Sequence, residues 1–173
     1  MKPLVLDLCC GYGGWSAGFI AEGWRAIGVD VVDFSAHYPG QFIQADLLTW
    51  DGWISLKPAI VVASPPCEEF SRHSMPWTRA RKPPPPSLAL VLRCELIATE
   101  LDVPWILENV RGAQKFLGRS AMNCGPFHLW GDVPCLLPPF TGRKKESFSS
   151  QARSMRALIP ERLSRHIARC FAT

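Results

Sequence analysis

A thiol and a carboxylate, each placed at the end of a short apolar run, are the first residues here whose positions suggest chemistry. Cys67 closes the stretch Pro58-Ala59-Ile60-Val61-Val62-Ala63-Ser64-Pro65-Pro66-Cys67, and Glu108-Asn109 follow Trp105-Ile106-Leu107. A short β-branched run of this kind reads as a buried strand. The two prolines stop the first strand and stiffen the turn beyond it, because each fixes φ and neither donates an N–H. The Cys67 thiol is thereby expected on a rigid turn at the carboxyl end of a strand, the place where open α/β sheets bind ligands. A free cysteine is more commonly a buried packing residue, so this turn alone decides nothing. Glu108 adds weight. An acid after an apolar strand is costly to bury unless it is paired or its pKa is raised, and that cost marks a residue with a function.

The strands and helices that would carry these groups can be taken from the N-terminus. Leu4–Leu8 reads as a first strand. Asp7-Leu8-Cys9-Cys10-Gly11-Tyr12-Gly13-Gly14-Trp15-Ser16 comes next, and Ala17 to Gly23 reads as a short helix closed by glycine. Strand, glycine-rich turn and helix open a doubly wound nucleotide-binding sheet, although the spacing is not the dinucleotide G-x-G-x-x-G. Trp24–Asp30 reads as a second strand and Gln41–Asp46 as a third, each ending in an acid. Asp30 suits either a ribose acceptor or a helix cap; Asp46 suits an exocyclic-amine acceptor or a turn cap. Residues 68 to 87 read as one long surface loop over the site. It contains Arg72, His73, Trp77, Arg79, Arg81 and Lys82 and ends in the stiff run Pro83 to Pro86. Leu88–Leu101 reads as the best helix, with Ser87 as N-cap. Trp105–Val110 reads as strand five and Met122–Trp130 as one more strand. Residues 141 to 157 read as a mobile basic loop, and Pro160–Phe171 as a last helix with Leu163, Ile167 and Phe171 on one face.

Composition sets the outer bounds. The 173 residues are 47% hydrophobic and 20% charged, which suits one globular domain, 1–173, with no linker or repeat. No apolar run is long enough to span a bilayer, and Asp7 argues against a secretory leader. Seven cysteines, an odd number, lack zinc-ligand spacing, so free thiols, a reducing compartment and no metal are expected. A net charge of +4 permits nucleic acid without requiring it.

Together these segments resemble the DNA (cytosine-5) methyltransferase family, and within it the small members of phages and prophages. Asp7-Leu8-Cys9-Cys10-Gly11-Tyr12-Gly13-Gly14 is similar to the family's first motif, with Cys9 where phenylalanine is usual. Asp30 and Asp46 match its next two acidic positions. Ser64-Pro65-Pro66-Cys67-Glu68-Glu69-Phe70-Ser71 resembles the nucleophile motif, with Glu68 in place of glutamine, and Glu108-Asn109-Val110 matches the Glu-Asn-Val motif. The resemblance covers roughly residues 4 to 112. A Gln-x-Arg-x-Arg motif is missing, its place taken by Asn123 to Trp130, and there is no room for a target-recognition region of ordinary size.

The resemblance implies an α/β, Rossmann-like class I S-adenosylmethionine-dependent methyltransferase fold with a doubly wound, mostly parallel sheet. It implies S-adenosylmethionine as methyl donor and a flipped cytosine in DNA as acceptor. Cys67 would attack C6, Glu108 would protonate N3, and Asn109 belongs to the same catalytic set. Nearby positive charge, with Arg72 as a source, is expected to favour the thiolate. Asp7, Cys9, Gly11, Gly13, Gly14, Asp30, Val31, Asp46, Leu47 and Pro65 would hold the cofactor. Arg72, His73, Trp77, Arg79, Arg81 and Lys82 would meet DNA. A protein partner or self-association would supply the missing recognition, in the cytoplasm of a bacterial or phage-infected cell; a restriction–modification setting, evasion of host restriction and regulation all stay open as its purpose. Two other classes stay open: a DNA-binding or regulatory homologue with weak or lost turnover, and the same chemistry on RNA or a free cytidine nucleotide.

Overall fold

The computed structural model describes residues 2–72, 84–135 and 158–172. Seven strands form one sheet in the order β3-β2-β1-β4-β5-β7-β6. They are β1 Leu4–Leu8, β2 Arg25–Asp30, β3 Gln41–Gln44, β4 Ile60–Ala63, β5 Trp105–Asn109, β6 Met122–Cys124 and β7 Phe127–Gly131. The first five run parallel, and β7 pairs antiparallel with both β5 and β6. Among the described residues five α-helices accompany them: α1 Gly14–Ala21, α2 Glu68–Arg72, α3 Ala89–Leu101, α4 Gln114–Leu117 and α5 Glu161–Cys170. None is long and apolar enough to cross a membrane.

Side-chain alternation along the strands splits the interior in two. Leu4, Leu6 and Leu8 of β1 pack with Val61, Leu107 and the buried face of α3, namely Val91, Cys94 and Ile97. Val5 points the other way and joins Val62, Ile106, Trp15 and Phe19 of α1, and Leu163 and Ile167 of α5. The strands buried on both faces are continuous apolar runs, as parallel sheets require. α5 comes close to α1 because Gly18 has no Cβ to collide with Ser164, whose hydroxyl donates to the Trp15 carbonyl. Glu22, just after α1, accepts from Arg165 at 2.6 Å and Arg169 at 2.8 Å, which holds its carboxyl down near pKa 2.

Several elements differ from the sequence reading. Residues 68 to 87 are not one loop. Glu68–Arg72 is a helix, held down by Phe70, which is buried in the core against Phe116. A single buried residue has no apolar period to reveal a helix this short. Met122–Trp130 is a hairpin of two strands, turned at Gly125 with φ +58°. α1 starts inside the glycine stretch, and β3 ends two residues before Asp46. In α3 the cap position falls to Leu88, while Ser87 Oγ still accepts from the Ala89 N–H at 3.3 Å. The expected basic loop, 141 to 157, lies outside the described residues.

Candidate active site

Parallel pairing aligns Ala63 of β4 with Leu107 of β5, so the chain leaves both strands at the same sheet edge. Beyond β4 run Ser64, Pro65, Pro66 and Cys67; beyond Leu107 come Glu108 and Asn109. Asn109 locks the two exits together. Its side-chain amide donates to the Pro65 carbonyl at 3.0 Å, and its Oδ1 accepts from the Val110 N–H at 2.9 Å. Asn109 is fully buried, and the bond pins the backbone two residues before the thiol. The turn is held from the other side as well, since Ser64 N–H donates to the Leu8 carbonyl and Trp15 Nε1 donates to Ser64 Oγ at 3.1 Å. Asn109 thus sits in the site as a brace.

Cys67 is half-buried and directly precedes α2, and Glu108 is 9% exposed. The two share one electrostatic neighbourhood. Burial raises the Cys67 thiol first, then the Glu68 and Glu108 carboxylates raise it further, while a hydrogen bond from Ser71 lowers it only in part. The expected depression of the thiol by Arg72 is therefore overturned: Arg72 ends α2 exposed, and two acids and desolvation prevail. Glu69 Oε2 accepts from the Ser87 N–H at 2.6 Å, tying α2 to the start of α3. His73, Trp77, Arg79, Arg81 and Lys82 lie outside the described residues.

The turn after β1 stands at the same edge. Cys9 is held at φ +52°, its thiol in contact with Cys94 of α3, and that contact together with burial raises it well above the ordinary range. The three glycines next in line divide. Gly11 has φ +49° and open space where a Cβ would stand. The backbone room at Gly13 is filled by Pro39 and Tyr38, and at Gly14 by the backbone of Ile159, so both pack against the chain itself. Asp30 grips this turn: Oδ2 accepts from the Gly11 N–H and Oδ1 from the Val32 N–H, both at 3.0 Å. Val31 beside it is 63% exposed. Asp46 is exposed, and its Oδ1 accepts from the Leu48 N–H at 3.0 Å, the turn-capping role among the two expected for it. Leu47 is a core residue whose carbonyl accepts from Arg93.

Asp7 is buried beneath this turn. Its Oδ2 accepts from Ser16 Oγ at 2.7 Å and from Tyr38 Oη at 3.5 Å; Oδ1 is buried with no partner among the described residues. Burial pushes this carboxyl up to about 7, against the lowering effect of the Ser16 hydrogen bond. Tyr38 reaches Asp7 only because Gly28 of β2 leaves its ring room. Sequence reasoning does not single out Ser16 or Tyr38; a lone tyrosine between loops has no periodicity to reveal it. Tyr12, Phe34 and His37 cluster above the turn, with Tyr12 and Phe34 rings 5.0 Å apart.

No family model and no curated protein sequence matches this chain. Solved structures do. A candidate DNA modification methyltransferase encoded within an Escherichia coli prophage is similar over 67% of this chain and 34% of its own, with 21% identity and a TM-score of 0.50. A Dnmt2 variant from Spodoptera frugiperda covers 66% of this chain and 37% of its own, at 20% identity and TM-score 0.46. A methyltransferase of Entamoeba histolytica covers 68% and 41%, at 16% identity and TM-score 0.45. The chain thus spans well under half the length of each. The strand order, with an antiparallel β7 between β5 and β6, and the likeness to the first of these define a Rossmann-like class I methyltransferase fold.

Proposed function

We propose that this chain transfers a methyl group from S-adenosylmethionine to C5 of a cytosine in DNA, through a covalent bond between Cys67 Sγ and C6. The observation that supports it most is the Asn109–Pro65 hydrogen bond, which clamps the turn bearing Cys67 to the strand end bearing Glu108.

Two features of the turn after β1 fit the cofactor. Gly11 leaves open space beside an Asp30-anchored backbone, and Asp7 keeps a buried acceptor without a partner among the described residues. Asp7, Gly11, Asp30 and Val31 would hold it, with Cys9 and Pro65 closing the near wall and Asp46 and Leu47 the next turn. Gly13 and Gly14 serve by shaping the turn. When bound, S-adenosylmethionine supplies an electrophilic methyl group.

The chain's own residues do the rest. C5 of cytosine is a poor nucleophile until the ring's conjugation is broken. Cys67 gives its proton to water and its sulfur bonds to C6 as the C5–C6 double bond opens; Glu108, as an acid, gives a proton to N3, and C5 gains enamine character. The two groups are matched. Charge on the Glu108 carboxylate raises the thiol, so a proton on Glu108 favours the thiolate it must assist. After methylation at C5, water takes the C5 proton, the C5–C6 double bond re-forms as Cys67 leaves, and N3 returns its proton to Glu108. The target base must be turned out of the duplex to reach these groups, and Arg72, Arg79, Arg81 and Lys82 are suited to the backbone phosphates.

Labelled-methyl incorporation into duplex DNA tests this. Wild type is expected to transfer, and Cys67→Ser to lose transfer while still binding S-adenosylmethionine; methylation by Cys67→Ser would remove the mechanism. The raised thiol also favours a second reading, a DNA-binding homologue with weak turnover. That reading predicts DNA binding without measurable transfer by wild type.

A further inference from the structure

Beside the strand end that carries Glu108 lies a cavity of about 660 Å³, within the ~300–1,000 Å³ range of ligand sites. Arg111, Gln114, Arg119, Ser120, Asn123 and His128 contribute its polar lining, and no lining residue is acidic. Among the described residues neither Arg111 nor Arg119 joins an ion pair, whereas Arg93, Arg165 and Arg169 each do. The wall behind them is built. Gln114 Oε1 accepts from Ser120 N–H and Oγ at 3.2 Å, and Ser120 Oγ lies 3.0 Å from His128 Nδ1. Burial and then the nearby Arg111 charge hold the imidazole below its ordinary range, so the cavity's positive charge comes from the two guanidinium groups.

Register fixes where this cavity lies. Asn109 of β5 pairs with His128 of β7, and Arg111 stands two residues past Asn109. α2, which starts right after Cys67, packs on the short 3-10 turn Arg111–Ala113. The cavity and the strand ends that carry Cys67 and Glu108 therefore share one sheet edge.

We propose that this cavity seats a backbone phosphate of the DNA substrate flanking the target cytosine, held by Arg111 and Arg119 with Asn123 as a further donor. The proposal rests on the function proposed above. Guanidinium groups present paired N–H donors that match phosphate oxygens. A polymer is favoured over a free anion because the cavity is much larger than a phosphate and adjoins the place where the base must sit.

A second basic hollow provides the control. It measures about 440 Å³, is lined by Lys2, Arg25 and Lys57, and lies at the starts of β1, β2 and β4, the opposite edge of the sheet. Fluorescence anisotropy with a short labelled DNA duplex, across a salt series, tests the assignment on the full chain. R111Q/R119Q is expected to weaken binding about tenfold or more at low salt and to reduce the slope of log K against log salt by about one, because one phosphate is no longer neutralised. S-adenosylmethionine binding by calorimetry stays unchanged, and R25Q/K57Q stays within about twofold of wild type on DNA. The single reversal R119E, on an exposed side chain, gives the same direction even if the double variant folds poorly. Wild-type affinity and slope in both cavity variants would overturn the site and leave the methyltransferase reading standing. An equal loss in R25Q/K57Q would also overturn it, as general charge attraction. Failure of wild type to bind DNA at all, including binding of RNA alone, would overturn both.

Discussion

The turns that follow β1 and β4 leave neighbouring parallel strands at the same edge, yet they are built on opposite principles. After β1 the polar groups are largely answered from within: Asp30 takes two backbone N–H bonds, Ser16 and Tyr38 serve Asp7, and the close approaches at Gly13 and Gly14 are made by the chain. After β4, burial raises the Cys67 thiol and the Glu68 and Glu108 carboxylates raise it further, on a turn held through both Asn109 and Ser64. The first turn is held largely by hydrogen bonds within the chain; in the second, burial and two carboxylates keep the thiol raised.

Substitutions that cut the second turn should therefore strike rate, and those in the first should strike stability. The largest effect is expected from Glu108→Gln, which keeps shape and removes the acid: a loss of ~10²–10⁴ in kcat with DNA affinity little changed. Equal activity in that variant would erase the contrast. Asp7→Asn comes next. Its carboxyl titrates near 3.8 when unfolded and about 7 when folded, so the unfolded state releases its proton first as pH rises. This acid costs stability increasingly between those values, by on the order of 4 kcal/mol at the top of the window. Melting temperatures should show Asp7→Asn gaining on wild type from pH 4 to 7 and then running level. A flat difference would mean that folding does not shift this carboxyl.

Asn109→Ala tests the clamp. Losing a buried bond to Pro65 should cost ~1–3 kcal/mol in denaturant unfolding, and kcat should fall by more than S-adenosylmethionine affinity does. A loss of stability alone would make Asn109 a core residue and nothing more. The smallest effect is expected from Glu68→Gln. With one of the two acids gone, the thiol is less raised, and the rising limb of the pH–rate profile should move to lower pH with little change in the plateau. No movement would show that Glu68 does not raise the thiol, leaving burial and Glu108.

The same contrast explains how much is legible in the sequence. Strands β1, β2, β4 and β5 announce themselves as apolar runs that end in chemistry-bearing residues, because a parallel sheet buries both faces and opens only at its edge. The order Asp7, Asp30, Cys67, Glu108 can thus be placed at one edge without coordinates. The sign of the charge around Cys67 cannot. Arg72 is close in sequence, but a one-turn helix carries it to an exposed end, while Glu108 reaches the thiol across strands. Tyr38, Ser16 and the Arg111–Arg119 cavity are also products of tertiary approach: Tyr38 depends on a gap at Gly28, and the cavity on a hairpin that reads as a single strand.

The central claim is that Cys67 forms a bond to cytosine C6 while Glu108 assists. Incubating the full chain with S-adenosylmethionine and a duplex containing 5-fluorocytosine tests it most directly, because fluorine at C5 blocks the elimination that would free the enzyme. The account predicts a denaturant-stable protein–DNA complex whose peptide mass places the adduct on Cys67, formed by wild type and much more slowly by Glu108→Gln. A complex on another residue, or none from wild type that binds both DNA and S-adenosylmethionine, would contradict it.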